Sequence, residues 1–239
     1  MLQQLRSELL SLSNPKKAKL LSGFFKTGKG EYGEGDLFLG IMVPQSRVLA
    51  KKYEKLPLEE VEKLMESPYH EERLVALFIL VKQYEQSSHL ADSENIKKLY
   101  KFYLAHTKAI NNWDLVDLTA PRIVGDYLLD KDRKDLLRMV RSKNLWERRI
   151  AVLATFQFIA KKKEYGESFR IAEILLPDRH DLIQKAVGWM LREIGKRISE
   201  KIEREFLDRY YKEMGRTCLR YAIERFDPGL RHKYLKGEI

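Results

Sequence analysis

The chain has 239 residues, of which 44% are hydrophobic, so it can bury a core and is not expected to be disordered. Lys and Arg outnumber Asp and Glu by 45 to 35, which leaves a formal charge of +10. Such a surface should attract polyanions, and nucleic acid is the first candidate. The plainer alternative is a soluble protein with a general basic bias.

Several kinds of site and location are disfavoured. The single cysteine, Cys218, cannot form an internal disulfide or a cysteine-based zinc cluster. The histidines lack metal-ligand spacing, so neither a metal nor another cofactor is expected. No N-terminal apolar run resembles a signal peptide, and no apolar stretch of about 18 residues could span a membrane. We therefore expect a cytoplasmic protein that makes no membrane contact.

Nearly every segment carries apolar residues at helical spacing, and none alternates polar and apolar residues as a half-buried strand would. Asn14 before Pro15 indicates a helix cap followed by proline at the first helical position. A glycine-rich, acidic segment at 28–36 is expected to connect helices. Further helices are expected at 58–66, 69–83, 94–108, 112–119, 133–141, 145–162, 168–176, 181–197, 200–213 and 215–225.

Two of these regions repeat one another. Residues 61–76 and 136–151 share a serine, a Glu-Arg step and an alanine at a constant offset of 75. A weaker third copy begins at Ile171, and the segment around Trp113 fits between the first two. A period of roughly 35–40 residues is typical of two-helix solenoid repeats. We predict an all-α fold, a superhelical solenoid of antiparallel helix pairs, forming a single domain over residues 1–239.

Four residues carry the chemistry that such a solenoid could bring together. Trp113 and Asp117 lie four apart, so an indole and a carboxylate would share one helix face. Arg149 and Trp189 follow at intervals of about one repeat, so all four can face one groove if their helices are neighbours. A carboxylate beside a bound polyanion would be repelled by it, so its presence needs a reason. One reason is that it stabilises a positive charge formed during a reaction on DNA. The alternatives are an indole packed in the core and a solvated or ion-paired carboxylate.

Cations accompany these residues. Lys185, Arg192 and Lys196 lie at helical offsets on the same face as the second tryptophan. A flat apolar surface flanked by cations suits a nucleic-acid backbone, which needs charge for phosphate and stacking for sugar or base. Arg47 and Lys51 indicate a further basic helix face. That face either contacts DNA or only keeps the protein soluble.

At these residues the chain resembles the DNA alkylation repair family with HEAT-like helical repeats, of the alkylpurine DNA glycosylase D type. The resemblance covers most of the chain, and its most specific motif is the one at 183–193. Its motifs are Phe38-Leu39-Gly40-Ile41 with Pro44-x-x-Arg47, Asn112-Trp113-x-x-Val116-Asp117, Leu145-Trp146-Glu147-Arg148-Arg149, and Ile183-Gln184-Lys185-Ala186-Val187-Gly188-Trp189-Met190-Leu191-Arg192-Glu193. The resemblance implies that Asp117 is the catalytic carboxylate. It also implies that Trp113, Trp189 and Arg149 line the DNA-binding cleft.

Two positions depart from the family pattern. The 28–36 segment is more glycine-rich and acidic than the family's tyrosine-bearing loop, and Tyr32 is the counterpart of that tyrosine. Arg148 and Arg149 compete for the role of the cleft arginine. Because Arg148 matches Arg73 in a copy without cleft residues, Arg149 is the functional candidate. Arg148 is expected to be scaffold or, failing that, a DNA contact.

The resemblance implies a glycosylase that removes cationic N3- or N7-alkylated purines from duplex DNA and works as a monomer. It also implies that the enzyme grips the DNA backbone and does not capture the base. A cationic base leaves as a neutral molecule, so what remains to be stabilised is the oxocarbenium-like sugar, which a carboxylate can do. Two rival hypotheses are a non-catalytic relative that binds bent or branched DNA and a helical-repeat scaffold for protein interactions.

Overall fold

The computed structural model describes residues 1–239, and it contains helices and turns without a β-strand. A single isolated bridge joins Leu37 to Tyr69. The expected class, an all-α fold of paired helices, is confirmed. The α-helices are α1 (Leu2–Ser11), α2 (Pro15–Phe24), α3 (Val43–Lys52), α4 (Leu58–Met65), α5 (His70–His89), α6 (Ser93–Ala105), α7 (Trp113–Asp117), α8 (Lys134–Met139), α9 (Leu145–Ala154), α10 (Gly166–Leu175), α11 (Asp181–Arg197), α12 (Glu200–Tyr210), α13 (Arg216–Ala222) and α14 (Pro228–Lys236).

Local capping explains where several helices begin. The Asn14 side chain accepts a hydrogen bond from the backbone N–H of Lys17 at 3.0 Å, and Pro15 is the first residue of α2. This confirms the start expected from the sequence. Asp92 caps α6 in the same way through the N–H of Asn95, also at 3.0 Å. These side chains satisfy N–H groups that the first turn of a helix leaves without a partner.

Several expected helices have different lengths in the structure, and two of them are shortened or interrupted near the candidate residues. The helix expected at 145–162 ends at Ala154, and a π-helical turn follows at Phe158–Lys162. At the break, the Thr155 hydroxyl donates to the carbonyl of Val152 at 2.7 Å, a local bond that competes with the helical ladder. The helix expected at 112–119 shortens to the five residues of α7.

Three turns between paired helices share one local hydrogen bond. In each of three turns, a polar side chain accepts the backbone N–H of the residue two positions later, as in a short Asx or Ser turn. The pairs are Ser67 with Tyr69 (3.1 Å), Ser142 with Asn144 (3.0 Å), and Asp178 with His180 (2.9 Å). The same type of local hydrogen bond therefore occurs at three of the turns that join the helices.

The chain divides into two compact units, Met1–Thr119 and Ala120–Ile239. In the first unit, α5 is the central helix and is buried along most of its length. Its first four residues, His70 to Arg73, are buried although all are charged or titratable. A buried polar group must find partners within the protein, so this end of α5 should organise its surroundings. The single-domain expectation stays a prediction.

In the second unit, α11 packs closely on α13. A Cβ atom at Gly188 would lie 2.3 Å from the carbonyl oxygen of Cys218 and 2.6 Å from the Cβ of Tyr221. Only glycine allows the two helices to approach this closely. Gly188 within the most specific sequence motif therefore has a packing role, and it fixes the helix that carries Trp189.

Candidate functional site

Trp113 and Asp117 occupy the two ends of the short helix α7. The Asn112 side chain accepts the N–H of Trp113 at 2.9 Å, and this cap starts the helix. Both Trp113 and Asp117 are half-buried, whereas Leu115 and Val116 between them are fully buried in the core. The helix therefore presents the indole and the carboxylate while its opposite side anchors it.

An open cavity of about 310 Å³ lies beside α7, and its wall includes both of these side chains. All the lining residues belong to the first unit, and most are apolar. They are Leu21, Phe24, Phe25, Phe38, Ile41, Met42, Val43, His70, Glu71, Leu74, Trp113, Asp114, Asp117 and Leu118.

Aromatic rings form one side of this cavity. The ring of Phe25 stacks on Trp113 at a centroid distance of 5.2 Å and on Phe38 at the same distance. Phe24 meets Trp113 edge-on at 5.8 Å, and the Phe24 side chain is 62% exposed. These distances fall within the range in which aromatic pairs attract one another. The indole is thus held in a cluster that leaves the Phe24 ring open to solvent.

Beneath the cavity, His70 joins two acidic side chains. Its Nε2 lies 2.9 Å from Oδ2 of Asp114, and its Nδ1 lies 3.5 Å from Oδ2 of Asp36. Burial alone would lower the pKa of His70, but the hydrogen bonds to Asp114 and Asp36 outweigh burial and raise it to about 9. His70 is therefore an imidazolium at neutral pH. Because Asp114 lies in the first turn of α7, this contact ties α5 to the helix of Trp113 and Asp117.

Asp36 collects further partners. Arg73 lies 2.8 Å away as an ion pair, and the Asn111 amide donates to Asp36 at 2.7 Å. Burial opposes ionisation of Asp36, but the hydrogen bond from His70 and the charge of Arg73 outweigh it and lower its pKa. The acidic end of the 28–36 segment is therefore an internal anchor.

Glu71 holds the other rim of the cavity. Its carboxylate accepts the backbone N–H groups of Leu39, Gly40 and Ile41 at 2.8–3.1 Å. Gly40 has a positive φ of 84°, and a Cβ there would lie 2.2 Å from the carbonyl oxygen of Asn14. The turn before α3 is thus clamped from two sides, which explains the glycine within the Phe38–Ile41 motif.

The two competing arginines of α9 have different surroundings. Arg148 donates to Asp178 at 2.8 Å and to the carbonyls of Ser142 and Lys143 at 2.9 and 3.0 Å. Arg149 is only 5% exposed, and its guanidinium donates to the carbonyl of Leu182 at the start of α11. Arg148 makes the contacts of a scaffold residue. A phosphate contact by Arg149 stays a prediction.

The α11 helix carries the remaining predicted residues of the second unit. Trp189 is half-buried, and its indole N–H donates to Glu193 at 3.2 Å. Lys185 pairs with Asp181 at 2.7 Å, Arg192 pairs with Glu224, and Lys196 is exposed. Trp189 and Arg149 thus lie in one unit and the Trp113–Asp117 pair in the other, so a groove shared by all four stays a prediction.

In the first unit, Arg47 and Lys51 are both exposed on α3, and the Arg47 guanidinium lies 4.3 Å from the ring centre of Phe78. Tyr32 is half-buried and does not line the cavity. The aromatic side chains nearest to Trp113 are instead Phe24 and Phe25. Whether Tyr32 or the others touch DNA stays a prediction.

Sequence reasoning missed two features of this site. The first is the Phe24-Phe25 pair, whose signal was two adjacent aromatic residues at the end of an otherwise basic helix, α2. The second is His70, whose signal was a run of four charged or titratable residues beginning a strongly apolar helix. Only the Glu-Arg step of that run recurs in the second copy.

The chain is a basic all-α protein of paired helices, with an indole and a carboxylate on the wall of an aromatic cavity. These features are typical of helical proteins that bind nucleic acid. The model of the DNA alkylation repair enzyme family matches residues 5–226. The chain therefore belongs to that family, which places it in DNA repair and implies DNA as its partner.

A solved structure described as a predicted DNA alkylation repair enzyme from Enterococcus faecalis has a similar fold. It superposes with a TM-score of 0.68, is 18% identical in sequence, and the match covers 90% of this chain and 97% of that one. A search of curated proteins found no match. No helix of the chain combines the length and the apolar character needed to cross a membrane.

Proposed function

We propose that the protein is a monofunctional DNA glycosylase that hydrolyses the N-glycosidic bond of cationic N3- or N7-alkylated purines in duplex DNA. The observation that carries the proposal is the pairing of Trp113 and Asp117 on the wall of one open cavity in a family of DNA alkylation repair enzymes. Binding to the phosphate backbone alone would not require a carboxylate at that place. The proposal includes a monomeric enzyme that acts in the cytoplasm on nucleoid DNA.

The chemistry follows from the charge of the damaged base. An alkylated, cationic purine departs as a neutral molecule, so the enzyme need not protonate it. As the bond stretches, positive charge develops on the deoxyribose, and the Asp117 carboxylate would stabilise that charge and orient the attacking water. Removing one such electrostatic contribution typically costs roughly 10²–10³ in rate.

Other residues would hold the substrate. The indole faces of Trp113 and Trp189 would contact the cationic lesion or its sugar, at about 0.5–2 kcal/mol each. The exposed cations Arg47, Lys51 and Lys196 would contact phosphates. Arg149 is buried, so its contribution would depend on a shift of its side chain toward DNA or on its support of α11 through Leu182.

The test is release of N7-methylguanine from methylated duplex DNA, measured by chromatography of the freed base. We expect Asp117→Asn to keep the DNA affinity of the wild type and to lose at least about 100-fold in release rate. The matched control is Asp132→Asn, which removes one exposed carboxylate outside the cavity and should change neither quantity.

An unchanged release rate in Asp117→Asn would rule out the carboxylate role. If the wild type itself binds DNA but releases no base, the non-catalytic alternative gains support. Arg47 and Lys51 are exposed and would bind DNA without any contribution from Asp117, which favours the non-catalytic alternative. Affinity for branched over linear duplex DNA would then be the measurement of choice.

A further inference from the structure

We propose that His70 is a positioning residue of the site: its imidazolium holds α7, and with it the Asp117 carboxylate, where the sugar cation forms. This inference rests on the proposed function and deepens it, because it names a residue on which the carboxylate depends. His70 is only 2% exposed, so it acts through its neighbours. Position 70 also lies outside every motif on which the family resemblance rests.

The helix α7 is too short to fix its own direction. It has five residues, and isolated helices of that length are unstable in water, so its orientation depends on tertiary contacts. Leu115 and Val116 anchor one side in the core, and Asp114 makes the polar contact with His70. Asp114 and Asp117 are three positions apart and therefore neighbours on the helix surface. A shift at the first of these carboxylates would carry the second with it.

Four side chains form a closed circuit around the start of α7. The amide of Asn111, two residues before the helix, donates to Asp36 at 2.7 Å. The same Asp36 carboxylate lies 3.5 Å from Nδ1 of His70, whose Nε2 lies 2.9 Å from Asp114. The ion pair with Arg73 at 2.8 Å holds Asp36 in place. The start of α7 is thus tied to one anchor twice, directly before the helix and through His70 within it.

This circuit requires the charged form of His70. Each ring nitrogen faces a carboxylate oxygen, so each must carry a hydrogen, and only the imidazolium has both. A neutral ring would turn a lone pair toward Asp36 or Asp114 and open the circuit there. Burial alone would lower the pKa of His70, but the hydrogen bonds to the two carboxylates raise it to about 9. The circuit is therefore closed at neutral pH and opens as the pH rises through 9.

The charged side chains that contact the His70 ring, or share the cavity wall with it, come from the 28–36 segment, α5 and α7. They are Asp36, Glu71, Arg73, Asp114 and Asp117. Arg73 opposes the charge of the imidazolium, and Glu71 is occupied by three backbone N–H groups. The rings of Phe38 and Phe25 cover the imidazole at centroid distances of 4.7 and 4.9 Å. Water therefore cannot readily replace a carboxylate as its partner.

The consequence for catalysis follows from how a carboxylate stabilises a developing cation. The charge must already stand in the right place, and a displacement of about 1 Å can cost as much as 100-fold in rate. Opening the circuit would loosen α7 without removing Asp117, so we expect a loss of about tenfold in the rate of bond cleavage. DNA affinity should remain, because the phosphates are held by exposed cations elsewhere on the protein.

The first measurement is the single-turnover rate of N7-methylguanine release from methylated duplex DNA, with the uncatalysed release subtracted. In the wild type, the rate should fall about fivefold between pH 7 and pH 10 as His70 loses its proton. We expect His70→Gln to release base about tenfold more slowly at pH 7, with an unchanged Kd for DNA, and to lack the decline near pH 9. Circular dichroism at each pH restricts the comparison to folded protein.

Two further variants separate positioning from general destabilisation. Asp114→Asn removes the partner of His70 in α7 and should cost the same factor of about ten. The double variant should lose about tenfold and not about a hundredfold, because the two side chains act through one contact. The matched control is His106→Gln, which removes another histidine that pairs with a carboxylate, Glu62, at 3.0 Å but lies outside the cavity wall. It should change neither the rate nor the pH profile.

The second measurement does not depend on activity. Backbone amide hydrogen exchange at pH 7 reports local opening of a helix. His70→Gln and Asp114→Asn should each raise the exchange rate within α7 by about tenfold, whereas exchange within α10, in the other unit, should stay the same. The His106→Gln control should match the wild type in both helices.

The outcomes separate the two proposals. Wild-type release by folded His70→Gln, unchanged exchange in α7, or an additive loss in the double variant would overturn the positioning role and leave the glycosylase proposal standing. Faster α7 exchange in the variants of a protein that releases no base would defeat the glycosylase proposal, while the hold of His70 on α7 would stand. If His70→Gln does not fold, Asp114→Asn and the wild-type pH profile decide, and a full rate in both would overturn the role.

Discussion

The first and second copies of the helix-pair repeat use the same scaffold to different ends. In both, an arginine donates to a serine carbonyl six residues earlier: Arg73 to Ser67 at 2.6 Å and Arg148 to Ser142 at 2.9 Å. In both, the guanidinium also pairs at 2.8 Å with an aspartate from another segment. These equivalent contacts close the turn between the two helices of a pair.

The difference lies in the two residues that begin the second helix of each pair. The first copy has His70 and Glu71, which bind α7 and the 39–41 turn. The corresponding residues of the second copy are Leu145 and Trp146, and Trp146 is buried in the core. Replacing two apolar residues by two buried titratable ones thus converts a packing position into the support of a cavity. The scaffold contacts are therefore repeated, whereas the site is built on one copy only.

The largest expected effect tests the shared arginine. Arg73→Ala would leave the buried Asp36 with His70 as its remaining cationic partner and should lower the free energy of unfolding by up to about 3–5 kcal/mol. Arg148→Ala acts at a more exposed pair and should cost about 1–2 kcal/mol. Urea unfolding at neutral pH measures both. Equal losses of unfolding free energy in the two variants would contradict the difference in burial between the two ion pairs.

The next effect is a pH dependence of the free energy of unfolding. His70 should cause it, whereas Leu145, its counterpart in the second copy, should not. The pKa of His70 is about 9 in the folded chain against 6.5 as its ordinary value. The stabilisation is therefore fully present below about pH 6.5 and is lost as the pH rises through 9, by about 3 kcal/mol in total. Unfolding free energies measured from pH 6 to pH 10 should fall accordingly.

His70→Gln should remove the part of the pH dependence of the unfolding free energy that His70 causes. Leu145→Ala should lower the unfolding free energy by the same amount at every pH, because no group titrates at position 145. If the slope survives in His70→Gln, the imidazolium is not its source.

A smaller effect distinguishes the second unit. Glu203 is 2% exposed and approaches Gly195, and burial, with the charge of Glu200, raises its pKa to about 9 from 4.5. The folded chain keeps a proton that the unfolded chain releases, so stability falls as the pH rises above about 4.5. Glu203→Gln cannot ionise and should gain about 1–3 kcal/mol at pH 7. Thermal unfolding at pH 5 and pH 8 checks this, since the gain should be larger at pH 8.

The helices and the repeat were predictable because they depend on residues close together in the chain. Apolar spacing, the Asn14 cap and the Ser67 and Ser142 turns are local signals, and the structure has each of them. The Trp113–Asp117 pair was also found from local spacing. Tyr32 was expected as the counterpart of the family's loop tyrosine, and its contact with DNA stays a prediction. The contact of Phe24 with Trp113 was not expected from the sequence.

The sequence by itself determined the helical class, the repeat and which residues share one turn of α7, because these follow from helical periodicity. Only the tertiary structure decided that Asp36, His70 and Asp114 meet, since their contacts span 34 and 44 residues of chain. Periodicity states which face of a helix is apolar, but it does not state which partner covers that face. The cavity beside Asp117 depends on those partners, and so it became visible only in the folded chain.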